Sequence, residues 1–270
     1  MTDLWNDLLD CLALEPLGLG VYEGRSQHLD YHRLFGGQLL AQCARAAALT
    51  CPGKAVKSMH VLFPREGRGN EPVRYETDCV QQGRTYAAVR TQARQAHGVV
   101  AVATVSLHTW EGGPQRQTVQ PVGELPGPER RIALDMLPWE SRAVTDLDTD
   151  DAEPPAYELW TRTPHVSADL SPALLAYATD LTLIGTALRP LEKVTQRDAG
   201  RAFVSAVTSH TVWFHQPLRT DEWLVMRQHS PVAAHGRCHG RGDVLTERGE
   251  LVASYAQEGL LRFRRADDAE

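Results

Sequence analysis

Asp180, inside SPALLAYATDLTLIGTAL (171–188), is one side chain whose type and position could do acid–base work. A helical reading puts Tyr177, Leu181, Ile184 and Leu188 on one apolar stripe with Asp180 at its edge. An acid there is either a boundary residue held by a hydrogen bond or solvent, or a half-buried base able to orient and deprotonate water. Gln257 is the second candidate. It is an uncharged amide in a strand-like stretch, ELVASYAQEGLLRFR (250–264), with Ala253, Tyr255, Gly259 and Leu261 on its face. A strand glutamine is ordinarily an edge or surface residue. Gly36 and Gly37 come third. Glycines before a helix make a turn, and they also let a substrate carbonyl approach main-chain N–H groups at the helix start.

Other chemistry-bearing residues point nowhere in particular. His235, Cys238 and His239 resemble a metal cluster, but the segment reads as a strand, in which residues four apart are too distant to share an ion; no metal is expected. Asp146, Asp148 and Asp150 mimic the opening of a calcium loop, yet Asp151 stands at its turn glycine and Tyr157 at its closing glutamate, so the stretch reads as a solvated acidic linker. Cys43 has no histidine partner by spacing and reads as core.

The elements that must position these residues repeat. A helix over 35–49 is followed by extended segments near 55–63, 72–81, 84–95 and 98–110; the last alternates Val100, Val102 and Thr104 against Ala101, Ala103 and Val105. Ser171 and Pro172 then start a second helix, read as continuous through LLAYATDLTLIGTAL to Pro190. Extended segments follow near 201–215, 222–230, 236–246 and 250–264. SMHVLF (58–63) and SHTVWF (209–214) share Ser, Val and Phe at the same offsets, a trace of duplication. Leu4, Leu8, Leu9 and Leu12 add a short amphipathic N-terminal helix. The Gly- and Pro-rich 112–129 and acidic 145–155 read as connecting chain of little packing capacity. Periodicity alone gives an α+β class with duplication: a unit at 1–111, a linker at 112–155 and a unit at 156–270.

Bulk properties narrow the class. The chain has 270 residues, 42% hydrophobic and 23% charged, with a net charge of −6, which does not favour nucleic-acid or membrane-surface binding. No apolar run reaches the length of a membrane span, and the acidic N-terminus is unlike a signal peptide. Five scattered cysteines suit a reducing compartment, and a cytoplasmic location is expected.

FGGQ (35–38), GRTYAAVRT (83–91), AYATD (176–180), WFHQP (213–217) with DEW (221–223), and LVASYAQEG (251–259) together resemble the type II acyl-coenzyme A thioesterases. The resemblance runs from about Asp30 to Arg262. It implies a double hot-dog fold, each unit a curved antiparallel sheet around a central helix, and hydrolysis of acyl-CoA to free acid and coenzyme A without cofactor. It casts Asp180 and Gln257 as catalytic residues acting on water, with Gly36 and Gly37 near the acyl carbonyl or its oxyanion. The family's third member is a Thr or Ser, and the aligned position here is Val207. Ser205 and Ser209 share its face by strand alternation, and Ser209 is taken as the stand-in; Thr208 points away unless a bulge intervenes. An acyl-CoA binding protein with an eroded hydrolytic centre is the alternative. A hot-dog hydratase ranks lower, because no Asp and His pair lies near the first helix. His60, matched in the family strand, is read as core or groove-wall packing ahead of a catalytic role, while Arg65, Arg68, Arg84, Arg90 and Arg94 are candidates for the coenzyme A phosphates. Homodimers or homotetramers are implied as further partners.

Overall fold

The computed structural model describes residues 3–31 and 33–264. α1 (Leu4–Leu12) begins under an Asp3 cap whose side chain accepts from Trp5 and Asn6 N–H, and it buries Leu8 and Leu12. Short strands β1 (Glu15–Gly18) and β2 (Val21–Gly24) precede α2 (Gly36–Thr50). The first half continues through β3 (Ala55–Leu62), β4 (Val73–Gln82), β5 (Tyr86–Gln95) and β6 (Gly98–His108). After β7 (Arg131–Ile132), β8 (Glu140–Arg142) and β9 (Ala156–Arg162) come α3 (Ser171–Thr179) and α4 (Leu183–Leu188). The chain then runs through β10 (Phe203–Phe214), β11 (Leu224–Ala234), β12 (Arg237–Thr246) and β13 (Leu251–Phe263).

The strands form one 13-stranded antiparallel sheet, ordered β1-β2-β4-β5-β6-β3-β10-β13-β12-β11-β9-β8-β7. The halves therefore meet edge to edge at β3 and β10, and each half closes over its own helix. α2 fits inside because its buried positions are small: Ala41, Ala44, Ala46 and Ala47 let it approach both the sheet and α3.

The duplication is geometric as well as sequential. Aligning Ser58 with Ser209 places His60 on Thr211, and these two residues pair across the seam. Each seam strand carries one extra residue at the matching point: Lys57 lies between Val56 and Ser58, and Thr208 between Val207 and Ser209. A pseudo-twofold axis thus passes through the His60–Thr211 pair.

Two sequence expectations fail here. The second helix is not continuous: it stops at Thr179 and restarts at Leu183, with Thr182 in the left-handed region at φ 69°. The connecting chain also packs. Val122 and Leu125 lie against Trp160 and Trp223, and Leu137, Trp139 and Ala143 belong to the main core. Trp139 donates its Nε1–H to Thr161 Oγ1 at 2.6 Å.

Candidate active site

The helix break creates the site. A non-glycine residue in the left-handed region costs about 1–2 kcal/mol, so Thr182 must be held by its surroundings. Gln228, reaching in from β11, donates to Thr182 Oγ1 at 2.7 Å and to the Tyr255 hydroxyl at 2.8 Å. Thr186 Oγ1 lies 2.9 Å from both the Thr182 carbonyl and Gln228 Oε1. This buried network fixes the turn, and Asp180 at the end of α3 is left facing the start of α2.

Asp180 is only 7% exposed. Burial pushes its carboxyl up to about 7, opposed by a hydrogen bond from the Gly37 N–H. Its Oδ1 is buried with no partner among the described residues. The glycine pair that opens α2 is explained by this contact. A Cβ on Gly36 would lie 2.8 Å from Asp180 Oδ2, and one on Gly37 would lie 2.4 Å from the Tyr177 carbonyl. Gly37 therefore serves Asp180 and helix contact, and its N–H is engaged rather than free for a substrate oxygen. Gly36 lines the adjoining cavity, at a helix start that has no side-chain cap.

Gln257 lies on β13 opposite His210 of β10, both essentially inaccessible. His210 Nδ1 is 2.9 Å from Gln257 Oε1, and His210 Nε2 is 3.0 Å from Thr179 Oγ1, one residue before Asp180. Burial lowers the His210 pKa to about 4, against the Gln257 hydrogen bond, so the ring is neutral at physiological pH. A relay Gln257–His210–Thr179 thus ties the last strand to the helix that ends in Asp180. The far amide atom of Gln257, Nε2, is buried without a partner.

Two proton arrangements fit this relay. If His210 Nδ1–H donates to Gln257, then Nε2 must accept the Thr179 proton, which gives up the 2.9 Å bond from Thr179 Oγ1 to the Ala176 carbonyl. Turning the Gln257 amide end for end keeps every bond: Gln257 N–H donates to Nδ1, Nε2–H to Thr179, and Thr179 to Ala176. The atom of Gln257 left free is then its carbonyl oxygen, an acceptor.

Asp180 opens onto a cavity of about 540 Å³, walled by Leu39, Phe63, Met136, Ile184 and Leu260, with Arg33 and Arg65 also on its lining. A larger cavity, about 1270 Å³, contains none of the candidate catalytic residues; it shares Tyr31 and Met136 with the Asp180 cavity and is bounded mainly by the 131–140 segment. Chemistry therefore selects the smaller space. Gln257 is not on its lining.

The bulge decides the fate of the hydroxyl candidates. Ser205, Val207 and Thr208 line the Asp180 cavity. Ser209 does not: it pairs with exposed Leu62, while its neighbour His210 pairs with buried Val61, so Ser209 faces away from the helices. The extra residue Thr208 has its Oγ1 engaged by Glu258 instead, donating to the carbonyl at 3.0 Å with Oε1 3.4 Å away. His60 is on the outer face as well, with Nδ1 2.6 Å from Thr211 Oγ1. His235 occupies the turn between β11 and β12, and among the described residues no three His, Cys, Asp or Glu side chains gather as metal ligands. The acidic linker is tied down, with Asp148 paired to Arg197 at 3.0 Å. The residues missed by sequence reasoning are His210 and Thr179. Only the pairing of His210 with Gln257 would have disclosed them, and that depends on the bulge.

Comparison with known proteins fits this geometry. Residues 26–108 match the acyl-CoA thioesterase N-terminal domain and residues 110–261 the acyl-CoA thioesterase C-terminal domain. Acyl-CoA thioesterase 2 of Haemophilus influenzae is 29% identical over 97% of this chain and 99% of that protein. A crystal structure of acyl-CoA thioesterase II TesB2 from Mycobacterium marinum superposes with a TM-score of 0.80 at 30% identity, covering 95% of this chain and 98% of that one. A hot-dog protein from Alicyclobacillus acidocaldarius, 20% identical, shares the fold with a TM-score of 0.74 over 96% of this chain and 98% of that one.

Proposed function

The chain belongs to the acyl-CoA thioesterase family, and from that premise we propose that it hydrolyses acyl-CoA thioesters through a water held between Asp180 and Gln257. The observation that carries this is the pair of buried, unpartnered atoms, Asp180 Oδ1 and the free end of the Gln257 amide, joined through Thr179 and His210. Burying polar atoms without partners costs about 1–3 kcal/mol each, a cost that a bound water relieves.

With the Gln257 carbonyl outward, the water donates one hydrogen to Asp180 and the other to Gln257, leaving a lone pair for the thioester carbon. Attack passes that proton to Asp180 and forms a tetrahedral oxyanion. The uncapped start of α2 at Gly36 supplies N–H dipoles towards that charge. Collapse breaks the C–S bond, and the coenzyme A sulfur takes the proton back from Asp180. The products are the free acid and coenzyme A, and Asp180 is again ionised. Apolar walls at Leu39, Phe63 and Ile184 suit an acyl chain, and Arg33 and Arg65 suit the phosphates of coenzyme A.

Val207 supports a second reading, an acyl-CoA binding protein whose hydrolytic centre is eroded, because a valine cannot hold water. In the hydrolase reading Thr208, at the bulge and on the cavity lining, provides the hydroxyl in its place. The remaining parts of the proposal are a cytoplasmic location, assembly into dimers or tetramers, and two units at 1–111 and 156–270 around the 112–155 connection. No helix among the described residues is long and apolar enough to cross a membrane.

The test is turnover of short- to long-chain acyl-CoAs by the unmodified protein and by Asp180→Asn, with binding measured in parallel. Turnover that disappears in the variant while binding persists supports the mechanism; binding without turnover in the unmodified protein selects the eroded site.

A further inference from the structure

The pseudo-twofold axis implies a second copy of the catalytic cavity, and one is present. The Asp180 cavity is built from the start of α2, the chain leaving β3, the end of α3, the early part of β10 and the end of β13. Exchanging the halves gives the start of α3, the chain leaving β10, the end of α2, the early part of β3 and the chain just past β6. Those pieces enclose a cavity of about 550 Å³, represented by Pro172, Leu218, Arg45, Val56 and Trp110. Val56 stands there as Val207 stands in the first cavity, each beside its matching bulge.

The chemistry is exchanged with the position. The His210–Gln257 pair becomes Met59 opposite Val105, so no amide relay exists. In place of a buried carboxylate on the helix, this cavity has Arg45 on α2 and Lys54 on its lining, together with the Asp169 carboxylate. Arg45 Nη1 is committed to Asp169 at 3.0 Å, but its Nε is buried with no partner. A guanidinium N–H buried beside an apolar wall is a strong donor waiting for an anionic acceptor. Trp110, Phe214 and Leu218 supply the apolar side.

We infer that this second cavity binds a free long-chain carboxylic acid without hydrolysing anything, the carboxylate on Arg45 and Lys54 and the chain along Trp110 and Phe214. The choice of ligand rests on the hydrolase reading, since such acids are its product class; the binding itself does not require turnover. The site would let product accumulate on the enzyme away from Asp180.

Laurate carrying a photoreactive diazirine in its chain is the probe, cross-linked to the full chain and mapped by mass spectrometry. Labels are expected around Leu49 and Trp110. Ala48→Trp should remove them while thioester turnover is retained, and Arg45→Gln, which changes no apolar wall, should weaken laurate at this site by about tenfold. The equivalent diazirine alcohol should label it at least tenfold less. No label at Leu49 or Trp110, or a label indifferent to both Arg45→Gln and loss of the carboxylate, overturns the inference. If Ala48→Trp fails to fold, Arg45→Gln and the alcohol still decide. Laurate is not a thioester, so a chain that proves inactive towards acyl-CoA can still bind it, and failure of one reading is separable from failure of the other.

Discussion

The two ends of the seam are built alike and furnished differently. At one end His210 faces Gln257 next to a broken helix; at the other Met59 faces Val105 beside an uninterrupted one. Both ends keep the bulge, the neighbouring valine and a cavity of nearly equal size, about 540 and 550 Å³. The fold therefore supplies the cavity twice, and hydrolytic chemistry requires what only one end has: a carboxylate released from helical pairing and an amide locked by a neutral histidine. Fold and site are separable, and substitutions can divide them.

Removing the carboxylate is the sharpest way to make the two ends equal. Asp180→Asn keeps shape and the Gly37 contact but cannot accept a proton. Turnover is expected to fall by about a thousandfold, within the range for loss of a general base, with acyl-CoA affinity little changed. Measured kcat within tenfold of the unmodified protein would remove Asp180 from the chemistry.

The relay comes next. His210→Leu makes the catalytic end resemble Met59 and frees Gln257 to rotate. Because His210 positions Gln257 and touches no substrate, kcat should fall about tenfold to a hundredfold with KM nearly constant. His210→Asn, which can still bond Gln257, should recover part of the loss. A purely structural histidine would instead lower the melting temperature without that split, and the asparagine would rescue nothing.

How far this difference was readable from sequence depends on what set each feature. The extended segments that become β3 to β6 and β10 to β13, with alternation clearest in β6, and the Gly-led helix α2 were legible because their determinants are local. The break at Asp180 was not readable: Leu181, Ile184 and Leu188 continue the apolar helical spacing through it, and the turn is imposed by Gln228 and Tyr255 from distant strands. The bulge at Thr208 has no local signature either, so Ser209 was placed on the wrong face and His210 passed unnoticed. β8 and the buried Trp139 were hidden inside the 112–155 segment that read as linker. Asp180 and Gln257 stood out only as part of a family pattern; their burial and their link through Thr179 belong to the fold.

The pH response should separate the ends as well. Asp180 must be ionised to act, and burial holds it near 7. Turnover should rise about tenfold per pH unit below that value and level off above it; a flat profile from pH 5 to 8 would exclude Asp180 as the base. Stability runs the other way. The folded pKa lies above the ordinary 3.8, so the protonated acid's contribution is complete below about 3.8 and is lost as pH rises through about 7. Asp180→Asn should therefore raise the melting temperature more at pH 8 than at pH 5. His210 has the opposite sign: its pKa is depressed from 6.5 to about 4, so its contribution is lost as pH falls through that lower range. Acidification thus stabilises through Asp180 and destabilises through His210, two buried groups linked through Thr179.

The smallest change bears on the feature both ends share. Val207 and Val56 occupy matching positions, so Val207→Thr places a hydroxyl where the second cavity has none. If Thr208 already holds the water from its bulge, the added hydroxyl is redundant, and turnover should change by less than about threefold, near the limit of one exposed or duplicated hydrogen bond. If the centre is eroded, the threonine completes it, and turnover should climb tenfold or more with binding unchanged. Thr208→Val is the reciprocal test, since it removes the hydroxyl of the extra residue while leaving the bulge and Val207 in place. A loss in Thr208→Val together with no gain in Val207→Thr would show that the extra residue in β10, rather than the aligned position, carries the third catalytic group. The matching extra residue in β3 is Lys57, whose side chain cannot accept from water as a hydroxyl does, so one inserted residue of different type would then account for part of the division between the two cavities.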